Sequence, residues 1–168
     1  MAEAGVLRED DRLELVDGEI VEMAPIGHRH ATCVRKLTEV FTRERERWLV
    51  DVQNPLSVSS RDELYPDLVL LHSRDDRYAG GIPAVADALL VVEVADTTLR
   101  YDRSVKLARY AAAGAGEVWI VDVEGARVWV HRKPLEGDYG EVFEATAGDV
   151  LTISAVPGFE LAVSDILA

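Results

Sequence analysis

The stretch "LLVVEVADTT" (residues 89–98) constrains the fold most, because an acid stands inside an otherwise apolar run. A short run rich in valine is typical of a strand that is buried on both faces. An unpaired ionised carboxylate in a core costs several kcal/mol even after relaxation, so Glu93 must have a compensating partner. The sequence therefore predicts a central strand with a cation close to its carboxyl end.

Length and composition predict one domain, residues 1–168, that buries a sizeable core. Cys33 is the only cysteine, so an intrachain disulfide cannot form. No apolar run approaches the ~20 residues of a membrane span. The first residues lack the basic and apolar blocks of a signal peptide. We therefore expect a cytoplasmic location.

The formal net charge of −13 restricts the classes of partner that the chain can bind. Proteins that hold nucleic acid normally carry a basic surface, so this balance counts against a strong non-specific grip on a polyanion. It does not exclude a local site that a bound metal ion makes cationic.

The order of the patterns predicts an α/β (α+β) fold with one mixed central sheet, flanking helices and an N-terminal hairpin. Residues 13–25 alternate around Asp17-Gly18, a dipeptide favoured in type I′ turns. Helical periodicity predicts a long helix within residues 28–49 and a second helix within 101–116. The remaining predicted strands lie at residues 56–60, 65–71 and 88–95, on either side of Glu124-Gly125, and before a turn at Pro157-Gly158.

Alternation along the strands suggests that two acids meet at the central sheet. Asp67 shares a face with Val69 and Leu71, and Glu93 shares a face with Val91 and Ala95. If the two strands are neighbours, the carboxylates lie side by side, and one must be protonated unless a cation sits between them. Mg²⁺ binds through one or two carboxylates together with water and phosphate oxygens.

The helix that follows the Glu93 strand offers an amine to this pair of acids. Lys106 lies in its first turns, and the helix packs back on the sheet. Asp102 and Tyr110 lie four residues to either side, on the same helical face. A buried ion pair of Glu93 with Lys106 or with an arginine would also satisfy the acid without catalysis, and Asp67 could be a turn or cap residue. The residues alone leave both interpretations open.

"YPDLVLL" followed by "LLVVEVADTTLRYDRSVKLARYAAAGAGEVWIVD" resembles the PD-(D/E)XK restriction-endonuclease-like superfamily, and more narrowly its Uma-two branch of bacterial endonucleases. The resemblance extends over almost the whole chain, from "LELVDGEIVEMAP" to "VPGFEL". The superfamily's lysine normally stands two residues after the second acid, where this chain has Ala95. In the resembling branch the lysine lies on the following helix, at the place of Lys106. "ADTT" also adds an acid, Asp96, where relatives often carry a Ser/Pro-containing segment.

The resemblance implies a restriction-endonuclease-like fold and a metal-dependent endonuclease, with DNA as the expected substrate. Asp67 and Glu93 would bind Mg²⁺ or Mn²⁺, and Lys106 would assist attack on the phosphate. Glu19 is the best candidate for an additional ligand. Two alternatives stay open, namely a non-catalytic binding or regulatory module that keeps the fold and a hydrolase of small phosphoesters.

Two further features of the sequence carry weaker predictions. His28 and His30 precede the long helix, where they could join Glu19 and Glu22 in a second acidic or metal-binding cluster. We expect them instead to cap and solvate the start of the helix. Trp129 and His131 share one face of a predicted strand, and exposed aromatic side chains there favour a homodimer contact.

Overall fold

The computed structural model describes residues 12–167, which form three sheets and several helical segments. The strands are β1 (Leu13–Val16), β2 (Glu19–Glu22), β3 (Leu49–Val52), β4 (Leu56–Ser57), β5 (Glu63–Leu64), β6 (Leu68–Leu71), β7 (Ala88–Ala95), β8 (Glu117–Asp122), β9 (Arg127–Leu135), β10 (Asp138–Ala145), β11 (Val150–Ile153) and β12 (Val156–Ala162). The helices are α1 (His28–Thr42), α2 (Leu99–Tyr101) and α3 (Leu107–Ala112), with a π-helical turn over Asp102–Lys106 between the last two. Short 3₁₀ turns cover Val85–Asp87 and Val163–Asp165.

The central sheet has six strands in the order β10-β9-β8-β7-β6-β3. Only β7 and β8 run parallel among its neighbouring pairs, so the sheet is mixed, as the sequence predicted. The two faces of the sheet belong to different apolar clusters. One face packs Leu68, Val92 and Val94 against α1, and the other packs Val69 and Val91 toward α3.

The N-terminal hairpin forms the turn that the sequence predicted. Asp17 and Gly18 have φ angles of 52° and 80°, and two consecutive positive φ angles are what a type I′ turn requires. β1 also pairs with β5, so the hairpin belongs to a second sheet with the order β2-β1-β5-β4. This pairing brings β1 toward the face of the central sheet that carries Glu93, where Lys106 contacts a β1 side chain.

Two local predictions from the sequence were wrong, and one strand was missed. The first helix ends at Thr42, and turns occupy residues 43–47, although Trp48 is still buried against Phe41. Pro157-Gly158 lies inside β12, and the turn before that strand falls at residues 154–155. β10 was not predicted, because most of its side chains are exposed and its sequence lacks a continuous apolar alternation.

The aromatic pair on β9 does not form an exposed surface. His131 is 2% exposed and packs edge-on against Tyr139. Trp129 is partly buried, and the guanidinium of Arg103 lies 4.3 Å from the centre of its ring. The surface from which a homodimer was predicted is therefore absent, and self-association itself stays a prediction.

Among residues 12–167, no helix combines the length and the apolar character needed to cross a bilayer.

Candidate active site

A break in helical geometry places the site lysine. The chain leaves β7, and its helix passes through the π turn at Asp102–Lys106 before α3 begins. π turns are rare in proteins, and those that occur are frequently found at functional sites. Asp102 and Lys106, at its two ends, are 4% and 5% exposed, so the turn buries two charged side chains against the sheet.

Lys106 is the partner that Glu93 requires. Its Nζ donates to both carboxylate oxygens of Glu93 at 3.2 Å. The same ammonium lies 2.8 Å from Oε1 of Glu14, on β1, and 4.0 Å from Oδ1 of Asp102. The hydroxyl of Tyr110 donates to Oε1 of Glu93 at 2.6 Å. One lysine is therefore shared by three acids.

Asp67 is held by a separate set of donors. His30 Nε2 and Gln53 Nε2 lie 3.0 and 3.2 Å from its Oδ1, and the amide of Val94 donates to Oδ2 at 2.8 Å. Burial raises the pKa of Asp67, but these hydrogen bonds and the charge on His30 outweigh that effect and lower it overall. Asp67 is therefore held as a carboxylate.

Asp67 and Glu93 belong to one face of the central sheet. β6 pairs with β7 in the register Leu68 opposite Val92, so one further step places Asp67 opposite Glu93. Both side chains line a cavity of about 280 Å³. The chain between β2 and α1, residues 23–27, forms its roof, and Arg12 anchors that roof by donating to the carbonyl of Ala24 at 2.9 Å.

Negative charge exceeds positive charge on the floor of the cavity. Burial raises the pKa of Glu93 well above its usual value; Lys106 offsets part of the effect, and the neighbouring acids add to it. Burial likewise raises the pKa of Asp102 to about 6, although Lys106 and a 2.6 Å hydrogen bond from Thr98 act against it. Burial lowers the pKa of Lys106, but the charges of Glu93, Glu14 and Asp102 raise it overall, so the amine stays protonated.

The donor set fits a hard divalent cation. Buried carboxylate oxygens are the ligands that Mg²⁺ and Mn²⁺ prefer, and the excess negative charge of the floor would be relieved by a cation. Within residues 12–167, no three His, Cys, Asp or Glu side chains gather at one point as a ready metal cage. The cavity is therefore compatible with the mode in which two carboxylates hold Mg²⁺ and water completes the shell.

The structure brings most of the predicted residues to this cavity. Asp67, Glu93, Lys106, Asp102 and Asp96 all line it. The additional candidate Glu19 is exposed on β2 and does not line the cavity. The hairpin acids Glu14 and Glu22 line it, and Glu14 contacts Lys106.

Two residues of the site were missed by reasoning from the sequence. His30 is not a solvated capping residue, since it is largely buried and donates to Asp67, whereas His28 is exposed. Glu14 was overlooked because "LELV" favours burial of its leucines. The structure buries the other face of β1, Glu14 and Val16. The only signal for Glu14 in the sequence was an acidic residue within the alternating pattern of a predicted strand.

Comparisons with known proteins agree with the predicted fold. A family model described as "Uma2: Putative restriction endonuclease" matches residues 3–164. A solved structure from Anabaena variabilis ATCC 29413, described as "a putative nuclease belonging to DUF820", superposes with a TM-score of 0.74 at 14% identity, covering 98% of this chain and 94% of that chain. No curated protein matches the chain. The predicted resemblance and the fold class are confirmed.

Proposed function

Because this chain belongs to the Uma2 family, whose description is of restriction endonucleases, we propose that it is a metal-dependent endonuclease that hydrolyses phosphodiester bonds in DNA. The observation that carries the proposal is the meeting of Asp67, Glu93 and Lys106 on the floor of one cavity. Asp67 directly precedes β6, Glu93 lies on β7 and Lys106 lies in the π turn, and these three places are separated along the chain. The family membership supports a nuclease, and the metal and the residue roles are our proposal.

Asp67 and Glu93 would hold Mg²⁺ or Mn²⁺ through their carboxylate oxygens. When bound, such an ion polarises the scissile phosphate and lowers the pKa of a coordinated water. His30 fixes the orientation of Asp67, and Tyr110 fixes that of Glu93, through hydrogen bonds of 3.0 and 2.6 Å.

Lys106 has an electrostatic role in this proposal. Because the surrounding acids keep its amine protonated, it cannot serve as a general base at neutral pH. Its ammonium group can instead stabilise the negative charge that develops on the phosphate oxygens during attack. Asp102 and Glu14 hold the lysine at the floor, with carboxylate oxygens 4.0 and 2.8 Å from its Nζ.

Two observations are also consistent with the two alternative functions. The direct contact between Lys106 and Glu93 satisfies both groups, as expected for a non-catalytic module that retains the fold. A small, acidic cavity also suits a hydrolase of small phosphoesters. Calorimetric titration with Mn²⁺ tests the first alternative, because a non-catalytic ion pair predicts no binding heat. Turnover of bis(p-nitrophenyl) phosphate against that of DNA tests the second.

The experiment replaces Asp67, Glu93 and Lys106 singly with Ala and measures Mn²⁺-dependent cleavage of supercoiled plasmid and of single-stranded DNA. Each change should reduce the rate by roughly 10²-fold or more, because each removes an electrostatic contribution to the transition state. Glu19→Ala is the matched control, an exposed acid on the hairpin that should leave the rate unchanged. Cleavage that survives all three changes would refute the site assignment.

A further inference from the structure

The burial of Asp67 and Glu93 limits the form of nucleic acid that can reach them. Glu93 is 2% exposed and Asp67 is 8% exposed, below the roof formed by residues 23–27. A volume of about 280 Å³ lies near the ~300 Å³ lower end of small-ligand pockets. Such a cavity admits one nucleotide-sized group. A nucleotide in a DNA duplex is paired and stacked, and taking it out of the stack costs a few kcal/mol, so an unpaired strand enters this space more readily.

Two arginines lie immediately outside the cavity, at a shallow depression on the protein surface. Arg100 and Arg103 are both exposed and line this depression together with Tyr101, which also lines the cavity. Over the part of the chain described here, neither guanidinium has a carboxylate within ion-pairing distance, whereas Arg43 and Arg47 pair with acids on their own turns. Arg103 also lies over the ring of Trp129, and both arginines hold positive charge beside the cavity in a chain of net charge −13.

Tyr101 connects the cavity with these arginines. Its ring is partly exposed, and its hydroxyl is buried without a hydrogen-bond partner in residues 12–167. A buried donor of this kind can serve a phosphate oxygen, and an aromatic ring offers a face on which a base stacks. Single-stranded DNA presents both groups to the protein, whereas a duplex hides its base faces.

We propose that the substrate is single-stranded DNA, with one nucleotide inserted beneath residues 23–27 and the adjoining backbone crossing Tyr101 to phosphate contacts with Arg100 and Arg103. This inference rests on the proposed nuclease function and adds the form of the substrate. It also explains how an acidic protein binds a polyanion, since the contacts are few and local.

The first test uses one end-labelled DNA hairpin that carries a duplex stem and a single-stranded tail, incubated with the wild-type protein and Mn²⁺. Cuts confined to the tail would support the proposal. Cuts in the stem at a similar rate would overturn it and leave the nuclease function intact. An absence of cuts anywhere, together with an intact plasmid, would overturn both the substrate assignment and the proposed function.

The second test changes the surface without touching the cavity floor. Arg100→Ala/Arg103→Ala should raise KM for a single-stranded oligonucleotide and leave kcat unchanged, as expected when only binding is lost. The salt dependence of log kcat/KM should become shallower by about 0.7 for each phosphate contact removed. Arg35→Ala/Arg45→Ala removes the same charge from exposed positions on and just after α1, and it should have no effect. Equal effects of the two double variants would overturn the proposed path, because general electrostatics would then account for binding.

Tyr101 provides a third arm to this test. Tyr101→Phe keeps the ring and removes the unpartnered hydroxyl, whereas Tyr101→Ala removes both. We expect a rise in KM for Tyr101→Ala that exceeds the rise for Tyr101→Phe, since stacking depends on the ring. Identical kinetics of the wild type and Tyr101→Ala would overturn the part of the proposal that concerns this residue.

Discussion

Two buried glutamates on neighbouring parallel strands, Glu93 on β7 and Glu117 on β8, show different ways of placing a carboxylate in a core. Both are 2% exposed. Glu117 accepts bonds from the Trp119 indole at 2.7 Å and the Ser154 amide at 2.8 Å, and it lies 3.0 Å from Nε of Arg132. Arg132 balances its charge and also lies 3.8 Å from Glu141, an acid that has its own partner in Lys133 at 2.6 Å.

Glu93 lies in surroundings of the opposite kind. Its lysine is shared with Glu14 and Asp102, and Asp67 lies on the same sheet face. It also lines the cavity of about 280 Å³, whereas Glu117 does not. Burial of an acid therefore does not mark a functional site by itself. Our site proposal rests instead on an excess of like charge beside a cavity, because such an arrangement costs stability and exposes the charges to a ligand.

The largest expected difference between the two glutamates is in catalysis. Glu93→Gln should reduce the cleavage rate by roughly 10²-fold or more, because it removes a proposed ligand charge from the cavity floor. Glu117→Gln should leave the rate per folded molecule unchanged, since Glu117 contacts no cavity residue. Initial rates, normalised to the folded fraction measured by circular dichroism, check this prediction. Equal losses in both variants would remove the distinction between them.

The second expected difference is in stability, and it concerns the pair of Glu117 and Arg132. Arg132→Met leaves the buried carboxylate of Glu117 without its guanidinium, which should lower the free energy of unfolding by about 3 kcal/mol. Urea denaturation measures this loss. The double variant Glu117→Gln/Arg132→Met should recover part of it, because no uncompensated charge remains. A single variant as stable as the wild type would show that the pair is not needed.

Removing an acid from the cluster around Lys106 should instead raise the free energy of unfolding. In metal-free buffer at about pH 8, Asp102→Asn should raise the free energy of unfolding by about 1–3 kcal/mol. Burial raises the pKa of Asp102 to about 6 in the folded chain, so the stability linked to its protonation is complete below the unfolded value of 3.8. That stability is lost as the pH rises through about 6.

The advantage of Asp102→Asn should therefore disappear near pH 4. Denaturation series at several pH values, with EDTA present throughout, test this dependence. A variant that is less stable than the wild type at pH 8 would contradict the excess of negative charge inferred for the cluster.

The smallest expected effect concerns a single hydroxyl group. Tyr110→Phe removes the donor to Glu93 and should lower the cleavage rate by roughly 10-fold, as is typical for groups that orient a metal ligand. Tyr139→Phe removes a similar buried hydroxyl, which donates to the carbonyl of Ala115 at 2.9 Å, and it should leave the rate unchanged. Both changes should cost about 1 kcal/mol of stability. Equal rates for the two variants would exclude an orienting role for Tyr110.

Regular strand periodicity explains why part of the site could be predicted. Alternation placed Asp67 and Glu93 on defined faces, and the helix after β7 placed Lys106 above the same face. The family resemblance then selected these residues from the acids of the chain. These inferences needed only local geometry and one strand pairing.

The remaining members of the site depend on contacts between distant parts of the chain. Glu14 reaches Lys106 only because β1 pairs with β5, a pairing for which the sequence carries no local signal. His30 contacts Asp67 only because α1 begins beside the start of β6. β10 was missed for a different reason, since edge strands with exposed side chains have a weak pattern.

The extra residue in the π turn makes the lysine's direction unusually sensitive to chain length. An ordinary α-helix advances by about 100° per residue, so deleting one exposed residue such as Ser104 would rewind the turn and rotate the segment before it relative to α3. Lys106 and Tyr110 both follow the deletion and would turn together relative to Thr98 and Asp102, which precede it. The loss of one codon would therefore disturb the charge cluster in a protein that otherwise keeps its architecture.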